Sequence, residues 1–171
     1  MTKRKPPKAK LTALIVGEGS HDKAFLNHMK SIYDGRETGQ KVTVDSADGG
    51  SPSDIIKSTI RKRHHADFDR RYILMDSDVG ISHKDRKRAK SAGIELIIST
   101  PVCLEGMLLE IIGEAAFGTN QACKDALHPL LSGRPTMAKS YTEKFTKPIL
   151  DGSAKSQIIT LRNAIGNMKA K

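Results

Sequence analysis

Apolar residues in the first two-thirds of this chain come in four short runs, each broken by polar residues or glycine. They are Leu-Thr-Ala-Leu-Ile-Val at 11–16, the alternating Lys-Val-Thr-Val-Asp at 41–45, Arg-Tyr-Ile-Leu-Met at 71–75 and Ile-Glu-Leu-Ile-Ile-Ser at 94–99. Each is too short for a stable helix of its own, and the length reads as a strand. The third run ends abruptly in Asp76-Ser77-Asp78-Val79-Gly80, the pattern of a buried parallel strand emerging into a crevice.

Between the runs the apolar spacing changes to helical. Ala24, Phe25, Leu26, Met29 and Ile32 form one such set, with Ser20 or Asp22 as its cap. After a loop at 48–53, Ser53 or Asp54 is expected to start a helix carrying Ile55, Ile56 and Ile60. Its end at 61–65 (Arg-Lys-Arg-His-His) is expected to be a solvated basic tip, favourable against the helix dipole. Residues 83–92 predict a basic helix that Gly93 ends. Thr100-Pro101 closes the fourth strand, and 102–112 has the spacing of a buried helix interrupted by Glu105 and Glu110. Beyond Gly113 the pattern is helical, at 122–131, 141–150 and 156–165, with a turn at 133–135. Ile158, Ile159, Leu161 and Ile165 are the expected packing positions of the last segment. The fold class that follows is α/β, a mostly parallel four-stranded sheet flanked by helices with a helical C-terminal extension. The expected organisation is a basic arm at 1–10, an α/β domain at 11–112 and an extension at 113–171 packed on the same domain. No internal repeat is present.

Composition narrows the function classes. The 171 residues carry 37% apolar and only 4% aromatic side chains, without Trp, which argues against a stacking platform for single strands. Lys and Arg number 29 against 19 acids, a net charge of +10, which suits a polyanionic partner such as DNA or RNA. The arm at 1–10, with Lys3, Arg4, Lys5, Lys8 and Lys10 and no acid, adds to that tone. Cys103 and Cys123 match no zinc or redox spacing and read as reduced core thiols of a cytoplasmic protein. No apolar run reaches membrane-spanning length and no signal peptide precedes the first strand, so no membrane partner is expected.

The candidate chemistry lies at the strand ends. One residue separates Asp76 from Asp78, so on an extended backbone both side chains face the same way. Two carboxylates that close repel unless a cation joins them, and oxygen ligands suit Mg²⁺ or Mn²⁺. Glu18, where the first strand ends, is a metal ligand, a general base or a solvated turn residue. Glu105, among apolar neighbours, would be costly unless paired, which favours a functional role. Lys84, Arg86, Lys87 and Arg88 on the basic helix are the candidate nucleic-acid contacts.

These landmarks support a resemblance. Residues 16–26, Val-Gly-Glu-Gly-Ser-His-Asp-Lys-Ala-Phe-Leu, resemble the opening motif of the Toprim fold of topoisomerases, primases and several nucleases. Residues 99–109, Ser-Thr-Pro-Val-Cys-Leu-Glu-Gly-Met-Leu-Leu, are similar to a Ser-Asn-Pro-x-Phe-Glu-x-Trp-Leu-Leu segment of RloB-like proteins, which are associated with abortive-infection and restriction loci. The chain departs from those proteins at Leu104 and Met107, where they carry aromatics, at His21-Asp22, where they commonly carry Thr-Glu, and in lacking the histidine that follows their segment. The resemblance implies Mg²⁺ (or Mn²⁺) held by Glu18, Asp76 and Asp78, with Glu18, Asp76, Asp78 and Glu105 as catalytic residues of a nuclease acting in phage defence. It also implies a partner ATPase or a second copy of the chain. The alternatives are a glycosyl- or nucleotidyl-transferase, for which no nucleotide pocket is legible, and a non-catalytic module that binds nucleic acid or a partner protein.

Overall fold

A computed structural model of the chain describes residues 10–62, 65 and 67–169. The expected basic arm, apart from Lys10, and His64 lie outside the described residues. The protein is α/β. Strands β1 (Leu11–Gly17), β2 (Gln40–Ser46), β3 (Arg70–Asp76) and β4 (Ile94–Ser99) form one sheet in the order β2-β1-β3-β4. All three pairings are parallel, so the sheet is wholly rather than mostly parallel. The sheet is consistent with a Rossmann-like or Toprim-like fold, and none of the described helices is long and apolar enough to cross a membrane.

Each crossover is a helix. Helix α1 (Ser20–Tyr33) connects β1 to β2, α2 (Pro52–Arg61) connects β2 to β3, and α3 (His83–Ser91) connects β3 to β4. The pleat divides the buried side chains between two faces. Ala13 and Ile15 of β1 and Leu74 of β3 pack with Phe25, Leu26 and Met29 of α1. Leu14 and Val16 of β1 and Ile73 and Met75 of β3 pack with Ile55 and Ile56 of α2 and Ala89 of α3. The chain leaves β1 towards β2 on one side and later returns to place β3 on the other. The C-terminal ends of β1 and β3 therefore flank the point where strand order reverses, where ligands of open parallel sheets sit.

The C-terminal helices are α4 (Leu104–Ile111), α5 (Asn120–Leu127), α6 (Lys147–Asp151) and α7 (Ser156–Gly166). Their buried residues Leu108, Cys123, Leu127, Leu150, Ile158 and Leu161 belong to the same cluster as α1 and the first face of the sheet. Polar side chains fasten this layer. His28 Nε2 donates to Phe145 O at 2.7 Å, and burial lowers its pKa, favouring the neutral ring. Gln40 Nε2 donates to Ala164 O and Ile165 O at 2.8 and 3.0 Å, fixing α7 against the start of β2. Cys103 and Cys123 are free, buried thiols.

Several local expectations are corrected. Gly19, not Ser20 or Asp22, precedes α1, and Asp22 sits in the first turn with its carboxylate accepting from Gly19 N at 3.1 Å. Ser51 caps α2, receiving Asp54 N, so the helix begins at Pro52 rather than at 53 or 54. Helix α4 starts at Leu104 instead of 102 because Val102 adopts a left-handed φ of 64°. His65 is not a solvated tip: it is fully buried, with Nε2 2.8 Å from Asp45 Oδ2. The segment expected at 122–131 is α5 continued by a 3-10 turn at His128–Leu130. That at 141–150 is a 3-10 turn, Ala138–Tyr141, followed by short α6. Ile159 faces outward, while Ile158, Leu161 and Ile165 are fully buried.

Candidate functional site

The turn after β1 is built by one glycine. A Cβ on Gly17 would lie 2.6 Å from Asp22 Cβ and 3.1 Å from Lys23 N, so only glycine lets α1 begin directly on the strand end. Glu18 N then donates to Leu74 O, extending the β1–β3 ladder by one bond. The Glu18 side chain crosses to β3, where its Oε2 accepts from Asp76 N at 2.9 Å. Gly49 N, from the β2–α2 loop, donates to Glu18 O at 2.8 Å.

Asp76 is the last residue of β3 and shares its side of the pleat with Leu74, the α1 and α4 side of the sheet. Its Oδ1 accepts from Leu104 N at the start of α4 (3.0 Å), and its Oδ2 from Asn120 Nδ2 at the start of α5 (3.1 Å). Gly106 permits this placement of α4, since a Cβ there would lie 2.3 Å from Pro101 O. The next acid on α4, Glu105, is buried, and its Oε1 lies 2.9 Å from His21 Nδ1 and 3.3 Å from His128 Nε2. The two imidazoles meet edge to face with centroids 4.9 Å apart.

Glu18, Asp22, Asp76 and Glu105 line one cavity of about 210 Å³, together with His21, Asn120 and Lys124. Like charges crowded in a partly desolvated space resist ionisation. Burial first, then the Glu18, Glu105 and Asp78 carboxylates, push Asp76 up to about 7 against the opposing Leu104 N–H. Burial is also the main cause of the raised pKa of Glu18, opposed by its bond from Asp76 N. Asp22 is raised well above the ordinary carboxylate range by burial and by Asp76. Among the described residues, Asp22 Oδ1 and Asn120 Oδ1 are buried and find no hydrogen-bond partner.

Three of the four acids singled out in the sequence, Glu18, Asp76 and Glu105, are thus brought to one cavity. Asp78 is not among the residues lining it. The chain leaves the sheet at Asp76, Ser77 N turns to Val102 O, and Asp78 is exposed with its Oδ1 on Val79 N. The alternation expected of an extended Asp-x-Asp therefore stops one residue short, although the charge of Asp78 still reaches Glu18 and Asp76. Lys84, Arg86 and Lys87 are exposed along α3, whereas Arg88 is held by Asp85 at 2.8 Å. Among the described residues, the group whose ligand atoms converge within 4.8 Å is His21, Glu105 and His128, not Glu18, Asp76 and Asp78.

Sequence reasoning missed His21, His128 and Asn120. His21 had a usable signal, since it lies in the first helical turn beyond a strand end, three residues after Glu18. His128 and Asn120 had none, because only tertiary packing brings the segment after α4 back over the sheet. No protein-family model, no curated protein and no solved structure matches this chain.

Proposed function

We propose that this protein is a divalent-metal-dependent hydrolase of nucleic-acid phosphodiesters with a Toprim-like acidic site. The observation that carries the reading is the Glu18–Asp76 contact, which joins acids from two strand ends at the reversal point of the sheet. Four carboxylates and one lysine line the cavity, and burial first, then the neighbouring carboxylates, raises the pKa of Asp76. Such an all-oxygen donor set fits Mg²⁺ or Mn²⁺, with Glu18 and Asp76 as the holding residues and the exposed Asp78 adding its charge to theirs. When bound, an ion of this class polarises a phosphoryl oxygen and acidifies water.

The protein's own groups supply the remainder. Glu18, held from one side by Asp76 N, presents a carboxylate with an elevated pKa, suited to accept the proton of an attacking water. Leu104 N and Asn120 Nδ2 fix the orientation of Asp76. Lys124, at the cavity wall, offers a positive charge to a phosphate entering an otherwise acidic site. Helix α3 begins at the same edge of the sheet, after the loop that leaves β3. Its exposed Lys84, Arg86 and Lys87 would neutralise backbone phosphates on either side of the scissile one.

Incubation with labelled DNA and RNA in Mg²⁺, Mn²⁺ or EDTA tests the reading. Expected is strand cleavage that requires the metal and disappears in Asp76→Asn. Salt-sensitive binding without cleavage, unchanged by EDTA and by Asp76→Asn, would establish a binding module instead.

A further inference from the structure

We infer that His21, Glu105 and His128 form a second, nitrogen-containing metal site that takes a borderline transition ion of the Zn²⁺ or Co²⁺ class. This site lies beyond the hydrolase reading and does not require the all-oxygen acids to be filled.

The donor chemistry comes first. Two imidazoles and one carboxylate are a poor set for Mg²⁺, which prefers oxygen, and a favourable one for Zn²⁺ and its neighbours in the first transition row. Tetrahedral zinc with bonds of about 2.0–2.1 Å places its ligand atoms roughly 3.3 Å apart. The atoms of this group lie 2.9 Å (His21–Glu105) and 3.3 Å (His128–Glu105) apart, and all lie within 4.8 Å of one another. Glu105 is buried, whereas the two imidazoles are each about a quarter exposed.

The architecture is that of an open site. Glu105 is anchored in the buried first turn of α4, and the two histidines come from the first turn of α1 and from the 3-10 turn after α5. Three separate elements therefore supply one ligand each. Two of the three, His21 and Glu105, line the cavity, and a set of three protein ligands leaves a coordination position for water or a substrate oxygen, as catalytic rather than structural zinc sites do.

A second observation points the same way. Asp22, 6% exposed, lines this cavity, and its Oδ1 finds no hydrogen-bond partner among the described residues. A buried carboxylate oxygen left unsatisfied is costly, and a nearby cation or its bound water would satisfy it. The competing explanation, that Glu105 serves only as a hydrogen-bonded anchor for two histidines, accounts for the pair contacts but leaves Asp22 unsatisfied.

The test uses the full chain without an affinity tag, stripped with EDTA and titrated with Co²⁺ while the visible d–d absorption is followed. Expected is one equivalent bound, displaced by Zn²⁺ and retained in excess Mg²⁺. Affinity should fall by at least ~100-fold in His128→Ala and His21→Ala, beyond the ~10–100-fold that outer-shell changes cost, and should survive in Asp76→Asn. ¹⁵N imidazole resonances of the unaltered chain provide a readout independent of any variant's folding, and two histidines should shift on adding Zn²⁺. Absence of Co²⁺ binding, binding indifferent to both histidine variants, loss only in Asp76→Asn, or unshifted imidazoles would each overturn the inference. Because Mg²⁺-dependent cleavage and its loss in Asp76→Asn are read separately, this site and the hydrolase reading can fail independently.

Discussion

Asp76 governs the pH behaviour of the metal-free protein. In the unfolded chain its carboxyl ionises near 3.8, and in the fold near 7, so between those values the folded state binds the extra proton. Stability therefore falls as pH rises through this window, and above it the full penalty remains. A shift of this size corresponds to roughly 4 kcal/mol, shared with Glu18 and Asp22 as one titrating cluster. Urea melts in EDTA should find Asp76→Asn more stable than the unaltered protein at about pH 8 and nearly equal to it at about pH 4. Mg²⁺ should stabilise the unaltered protein more at the higher pH, where the acids are ionised. Glu18 allows a cleaner separation of chemistry from fold. Glu18→Gln keeps an acceptor for Asp76 N but removes the proton acceptor, so cleavage should drop by about 10²–10⁴ while the metal-free protein loses no stability at about pH 8.

At the scale of elements, a close approach at Gly106 holds α4 against the site. Gly106→Ala would drive a methyl into the Pro101 carbonyl and push α4, with Glu105 and the Leu104 N–H, away from Asp76. A loss of about 1–3 kcal/mol or more is expected by chemical denaturation. Gly80→Ala, where nothing lies within 4 Å, is the near-neutral control. Helix α3 makes a different prediction. Lys84→Glu, Arg86→Glu and Lys87→Glu, all at exposed positions, should leave stability unchanged and weaken nucleic-acid binding. The salt slope should shrink by about one for every phosphate no longer neutralised. Arg88→Glu should also cost stability, because it places a second acid against Asp85.

These elements also show what the sequence could and could not reveal. The runs at β1 and β3 are continuous because these central strands are buried on both faces, while the edge strands β2 and β4 alternate or carry a polar residue where one side is open. Helix starts moved where capping decided them, at Ser51 for α2 and after the left-handed Val102 for α4. The meeting of Glu18, Asp76 and Glu105 was legible as three acids at strand or helix ends, whose common edge follows from parallel topology. The His21–Glu105–His128 group was not, since 84 residues separate the first pair and 23 the second. Asp78 was misplaced by assuming that the strand's alternation continues after the sheet has ended.

For the whole molecule, a positively charged chain carries an acidic cavity at the point where its strand order reverses. Net charge gathers polyanions from solution, while the local acids repel phosphate until a cation intervenes. Metal and nucleic acid should therefore bind cooperatively. The most direct test is a crystal soaked in Mn²⁺ with the anomalous signal recorded. Expected is a Mn²⁺ peak shared by the Glu18 and Asp76 carboxylates at bonds of ~2.1–2.3 Å. A cavity without such a peak at saturating Mn²⁺, with Glu18 still seated on Asp76 N, would refute a shared ion and the hydrolase built on it.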